Sequence, residues 1–149
     1  IGTLGGFVAG KSELIKYLIN QSRTFIFSTA LPPAVLAATL KSFELIEGEP
    51  ALRQKLWENV ARFNDGLEKI GLPKQKILSP IVPVVIGEEK EALKISERLF
   101  ERGFLVPAIR YPAVPKNKAR LRVTLSSKHE VEEIEGLLNS LKQVLKPSN

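Results

Sequence analysis

The sequence predicts an α/β protein, and three observations carry that prediction. Beyond Lys74 the apolar pattern runs in the order β, α, β, β, α, which suits a small sheet covered on one side by two helices. Before it, a long segment opening at Pro50 sets Leu52, Leu56, Val60, Phe63, Leu67 and Ile70 at steps of three and four, an amphipathic helix that Gly71 stops. The first 48 residues alternate glycine- and proline-marked joints with short apolar runs.

Taken in order, GTLGGFVAG opens as a glycine-rich turn with an apolar run that could form a short strand. Ser12 follows as an N-cap for a helix with Leu14, Ile15, Leu18 and Ile19 on one face. The β-formers and aromatics of RTFIFSTALPP predict a strand ending in the hydroxyl pair Ser28 and Thr29. Pro32 and Pro33 suit the first turn of the next helix, which runs to Gly48. After the long helix, Ile81 to Ile86 is a strand whose Pro83 argues for an edge or irregular position, and Glu88 to Arg102 is a helix with acids at its start. Phe104 to Ile109 reads as a returning strand. Leu121, Val123 and Leu125 alternate with Arg120, Arg122 and Thr124, so that strand has one buried and one polar face. Ser127 and Glu130 form a capping-box pattern for a last helix striped by Val131, Ile134, Leu138, Leu141 and Leu145.

Composition narrows the chemistry. A 149-residue chain that is 44% hydrophobic and 26% charged is neither disordered, collagenous nor a coiled coil. With no cysteine and one histidine, thiol catalysis, cysteine-type zinc sites and two-histidine metal sites are excluded. No run of 18 apolar residues and no signal-peptide order occur, so a cytoplasmic address and no membrane partner are expected. The chain begins at Ile1 and contains no methionine, and is expected to be part of something longer.

Net charge is +6, and its distribution matters more than its sum: between Gly103 and His129 there is no acid, while Arg110, Lys116, Lys118, Arg120, Arg122 and Lys128 all fall there. Only Phe104 and Tyr111 interleave these cations, too few for a nucleic-acid stacking surface, so no nucleic acid is expected and a small anion or a solvated basic face fits better. Arg110, between a predicted strand and Tyr111–Pro112, could grip a carboxylate through two parallel hydrogen bonds; a solvated arginine at a strand end is the plain alternative.

Gly5, Gly10, Lys11 and Ser12 match the phosphate-loop pattern of nucleotide hydrolases literally. Phe7 and Val8 suit a buried strand rather than an open nest, and no strand ending in aspartate follows, so Ser12 as a helix cap accounts for the same residues. His129 lacks an aligned partner and reads as a mostly exposed residue two positions into a capped helix. Trp57 reads as packing.

The segments IGTL, GGFVAG, RTFIFSTALPPAV and AIRYPAVPKNKARLRVTLSSKHE resemble, in order and over essentially the whole chain, the C-terminal half of the α-oxoamine synthases, pyridoxal-phosphate enzymes of the aspartate-aminotransferase fold. The resemblance is nearest to the biotin-synthesis branch. It implies a fold-type-I transferase in which residues 1–48 finish the large, cofactor-binding domain and residues 49–149 form a connecting helix and the small C-terminal α/β domain. It implies pyridoxal 5'-phosphate as cofactor, a homodimer with shared active sites, and condensation of L-alanine with a pimeloyl thioester, on CoA or a carrier protein, with loss of carbon dioxide. A sister activity uses glycine and acetyl-CoA.

By the same resemblance Thr3 lies near the cofactor phosphate or its lysine, Ser28 and Thr29 reach the phosphate of the neighbouring subunit's cofactor, and Arg110 binds the amino-acid carboxylate. Ala113 stands where the branch often has a threonine near the substrate. The family's Schiff-base lysine follows a threonine in a pattern close to GTxGKAxGxxGG. Here Thr3 and Gly5 match, but about seven residues fewer separate IGTL from GGFVAG, at a position where surface loops tolerate change. The lysine is among the absentees, between Leu4 and Phe7. No catalytic residue is therefore assigned, and the residues that stack on and pair with the pyridine ring belong to the half not matched.

Overall fold

The structure, a computed structural model, describes residues 2–145. The chain divides between Pro50 and Ala51 into two compact units.

The first unit holds three helices: α1 (Ser12–Gln21), α2 (Arg23–Ile26) and α3 (Pro33–Gly48). Lys11, in extended conformation, is the N-cap of α1 and Ser12 its first residue, so Ser12 does not cap. Pro33 opens α3, where its missing N–H costs no hydrogen bond. Neither predicted strand forms here. Residues 5–11 are unpaired, and the run predicted as a strand instead coils into α2, with Ile26 N–H on Ser22 O at 2.9 Å and Phe27 N–H on Arg23 O at 3.0 Å. With no neighbouring strand to complete a ladder, the backbone satisfies itself locally.

The second unit is built on a sheet. Its elements are α4 (Pro50–Lys69, one residue of which precedes the division), β1 (Ile81–Gly87), α5 (Glu89–Phe100), β2 (Ala108–Ile109), β3 (Ala119–Thr124) and α6 (Val131–Leu145). The strand order is β1-β3-β2, both pairs antiparallel, so the proline-bearing β1 takes the edge its Pro83 predicts. A bulge between Val85 and Gly87 is absorbed by Gly87, whose φ of +99° favours glycine. The predicted strand from Phe104 shrinks to two residues. Pro107 has no N–H to donate, and only its carbonyl reaches β3, accepting from Arg122 N–H at 2.9 Å.

Val82 and Val84 of β1 and Leu121 and Val123 of β3 pack on one face against Val60, Phe63 and Leu67 of α4, Ile95 and Leu99 of α5, and Ile134, Leu138 and Leu141 of α6. Three helices contribute to this core where the sequence predicted two, because the long helix joins it. Arg98 Nη1 donates to Val144 O at 3.1 Å, tying α5 to the last turn of α6. Lys74 holds Asp65 at 3.0 Å and Glu68 at 3.2 Å; hydrogen bonds to Asp65 and then Glu68 raise its amine above the usual lysine range. No helix among the described residues is long and apolar enough to cross a membrane.

Candidate functional site

Arg110 sits immediately beyond β2, at the head of a loop made of two successive turns. Ala113 N–H and Val114 N–H both donate to Arg110 O, at 3.0 and 3.3 Å, and Lys118 N–H donates to Pro115 O at 3.1 Å around Asn117, whose φ is +58°. Two nearby cations are already engaged: Lys116 of the loop lies 5.5 Å from the centre of the Tyr111 ring, and Arg120 of β3 donates Nε–H to Lys118 O at 3.1 Å. Arg110 is exposed and makes no ion pair or side-chain hydrogen bond among the described residues, so its planar donor fork is unoccupied. Ala113 is exposed in the same loop.

The predicted cofactor hydroxyls lie in the first unit. Ser28 and Thr29 are exposed, beyond α2, and make no side-chain hydrogen bond among the described residues, so both protons are available to an anion. Thr3 is committed. Its Oγ1 lies 2.8 Å from Thr39 Oγ1, and the Thr39 hydroxyl gives its own proton to Val35 O at 2.8 Å, so Thr3 must be the donor between the two. Thr3 would have to turn away from Thr39 before it could donate to a phosphate.

These features fit one end of pyridoxal phosphate and not the other. Ser28 and Thr29 offer donors of the kind a phosphate takes. At the aldehyde end, the first lysine of the chain is Lys11, exposed at the start of α1, and every described lysine except the half-buried Lys55 is exposed. None lines the two cavities beside Phe104 and beside Phe100, whereas a Schiff-base amine is made neutral and nucleophilic by desolvation or by a neighbouring cation.

Sequence reasoning misplaced His129 and missed Asn59. His129 precedes α6, is half-buried, and accepts the Ser126 N–H on Nδ1 at 3.2 Å. The α6 cap is made by Glu133, whose Oε2 accepts the Glu130 N–H at 2.9 Å, rather than by Ser127 and Glu130. Asn59 is buried on α4, and its Nδ2 donates to Ser126 O at 3.0 Å and His129 O at 2.9 Å. Its signal was available: an asparagine on the apolar stripe, three residues after Leu56 and four before Phe63. Trp57 is 43% exposed rather than packed. His129 also borders a cavity of about 270 Å³ walled by Phe104, Val123, Leu125, Ile134 and Leu137, which none of the predicted ligand residues reaches.

A model of the family "aminotransferase class I and II" matches residues 1–141. The chain belongs to that family. Among curated class I and II relatives, a putative 8-amino-7-oxononanoate synthase of Desulforudis audaxviator is 50% identical over 97% of this chain and 38% of its own length. The 8-amino-7-oxononanoate synthase of Thermoanaerobacter pseudethanolicus is 44% identical over 100% of this chain and 38% of its own. A solved structure of serine palmitoyltransferase with its pyridoxal phosphate as internal aldimine superposes with a TM-score of 0.88 at 27% identity, covering 96% of this chain and 36% of that one. The 8-amino-7-oxononanoate synthase of Francisella tularensis gives 0.76 at 30% identity, covering 89% and 39%.

The likeness to the α-oxoamine synthases is therefore borne out, as is the fold-type-I architecture. The chain spans somewhat over a third of the length of the relatives it matches. Membership of the aminotransferase family displaces the phosphate-loop reading of Gly5 to Ser12, and among the described residues no strand precedes α1.

Proposed function

We propose that this chain is the carboxylate-binding and phosphate-binding portion of a pyridoxal-phosphate acyltransferase that condenses L-alanine with a pimeloyl thioester in biotin biosynthesis. The observation that carries this reading is the run of relatives named 8-amino-7-oxononanoate synthase, matched at 42–50% identity along nearly the whole chain. The unpaired Arg110 at the head of an acid-free loop supports it from the structure.

Pyridoxal phosphate, when bound, supplies the electron sink for charge left on the amino acid's α-carbon. The chain's own residues bind and orient. Arg110 holds the alanine carboxylate by two parallel N–H···O bonds, fixing the plane of the group that leaves as carbon dioxide and so the direction of the breaking bond. Ser28 and Thr29 donate to the cofactor phosphate of a second copy, so two chains share each site. Ala113 presents a methyl group where a hydroxyl would hydrogen-bond, leaving the acyl chain to be placed by packing. Lys118, Arg122 and Lys128 add a field that draws in an anionic thioester, on CoA or a carrier protein. The chain does not contribute the Schiff-base lysine, for want of one between Thr3 and Gly10.

A hybrid tests this reading: this chain replaces the matching 38% of the Thermoanaerobacter relative, with and without a lysine-bearing glycine turn restored between Leu4 and Gly5. With the turn restored, L-alanine plus pimeloyl-CoA is expected to turn over faster than glycine plus acetyl-CoA; without it, neither pair reacts. Faster turnover of the glycine pair would overturn the substrate assignment.

A further inference from the structure

We infer that Tyr111 and Lys116 brace the loop headed by Arg110, which makes Tyr111 a positioning residue for that guanidinium. The loop from Arg110 to Lys118 is two turns in series, the first closed on Arg110 O and the second on Pro115 O. The second turn has footing in the sheet. It runs straight into Ala119, which is buried and paired with Gly87, and Asn117 O lies 3.8 Å from where a Cβ on Gly87 would stand. The first turn has less. It hangs from a strand of two residues, Arg110 to Ala113 are exposed, and Val114, though half-buried, is not among the side chains packed on the core. Among the described residues no hydrogen bond or ion pair joins one turn to the other.

One side chain from each turn makes the connection. Lys116 Nζ stands over the Tyr111 ring, 5.5 Å from its centre, within the distance at which the negative ring face attracts a cation. The local sequence leaves Lys116 little else. No acid occurs between Gly103 and His129, and Lys116 makes no ion pair among the described residues. Pro112 and Pro115 stiffen each turn from within by fixing their own φ, so the movement left to arrest is that of one turn against the other. With the brace closed, the first turn is tied to one seated on β1 and β3, and the guanidinium is ordered before a carboxylate arrives. With it open, binding has to supply that order, which weakens it. The consequence for alanine rests on the carboxylate role proposed for Arg110; the brace itself does not.

The test has one arm for the brace and one for its use. In the 149-residue chain, NMR reads the ring-current shift of the Lys116 ε-methylene protons and the heteronuclear NOE of the Arg110 and Ala113 amides. Tyr111→Leu is expected to abolish the upfield shift and lower both NOEs, Lys116→Met to lower both NOEs, and Tyr111→Phe to keep shift and order alike, with thermal melting of the second unit unchanged in all three. In the lysine-restored hybrid, titrated with L-alanine and followed by the cofactor's absorbance, Tyr111→Leu should weaken alanine binding about two- to fivefold, the worth of one exposed cation–π contact. Cofactor affinity should not change, and Tyr111→Phe should bind alanine like wild type. Lys116→Met with Tyr111→Leu should bind no more weakly than Lys116→Met alone, since one contact is lost either way. A Lys116 signal unshifted in the wild-type chain, or amides as ordered in Tyr111→Leu as in wild type, would overturn the brace. Alanine binding unchanged by Tyr111→Leu while Arg110→Lys weakens it would overturn the positioning role and spare the carboxylate role. Alanine binding unchanged by Arg110→Lys would remove the carboxylate role, and the brace then stands or falls by the NMR arm.

Discussion

Asn59 shows how one polar side chain fixes a junction in an otherwise apolar core. Both hydrogens of its amide are used, on Ser126 O and His129 O, so helix α4 is tied to the turn through which β3 enters α6. Asn59→Ala would leave two half-buried carbonyls without their donor, at a cost of about 1–3 kcal/mol. A lower urea midpoint for loss of the sheet's circular dichroism, at unchanged slope, is the expected result; a midpoint equal to wild type would mean that water replaces the amide. The residue was legible as an interruption of a stripe, but its partners were not, because they lie 67 and 70 positions away. His129 was misread for a related reason. Its imidazole is occupied by an N–H three residues back, a local bond that charge and spacing do not announce. Arg110 was singled out differently, by its place between a predicted strand and Tyr111–Pro112, and the structure leaves its side chain exposed.

At the scale of elements, periodicity located α4, β1, α5, β3 and α6 to within a few residues, since each has a stripe or an alternation facing one shared core, while α3 was marked by its opening prolines and by Gly48. It failed where a strand's existence depends on a neighbour. The aromatic run before Ser28 has the composition of a strand, but among the described residues no partner strand lies beside it, and it forms α2. The predicted strand after Phe104 lost all but Ala108 and Ile109, since Pro107 interrupts the ladder. The contact between α4 and α6 was invisible to pattern reading and depends on a glycine. A Cβ on Gly66 would run into the Leu138 side chain. Gly66→Ala should therefore destabilise the second unit despite gaining about 1 kcal/mol of helix propensity, because forced repacking costs about 1–3 kcal/mol. Gly66→Ala with Leu138→Ala should show coupling: in a double-mutant cycle the pair loses less than the sum of the single losses. Strict additivity in thermal melts would contradict that close approach.

For the whole molecule, the two units have different physical status. Residues 51–145 contain every buried side chain described, while residues 2–50 contain none. The family was legible because short segments spread along the whole chain carry it. Whether a lysine turn belongs between Leu4 and Gly5 is a question about assembly, which periodicity cannot address. The account's central claim, that Arg110 receives the amino-acid carboxylate, also requires the assembled protein. The direct measurement is titration of the lysine-restored hybrid and its Arg110→Lys variant with L-alanine and with pyridoxal phosphate, each followed by the cofactor's absorbance. An ammonium cannot reproduce the paired geometry of a guanidinium, so the variant should bind L-alanine about 10- to 100-fold more weakly. Cofactor affinity should stay within about twofold, because the proposed role gives the guanidinium the carboxylate and no part of the cofactor. Equal weakening of both, or no change in alanine affinity, would contradict the claim.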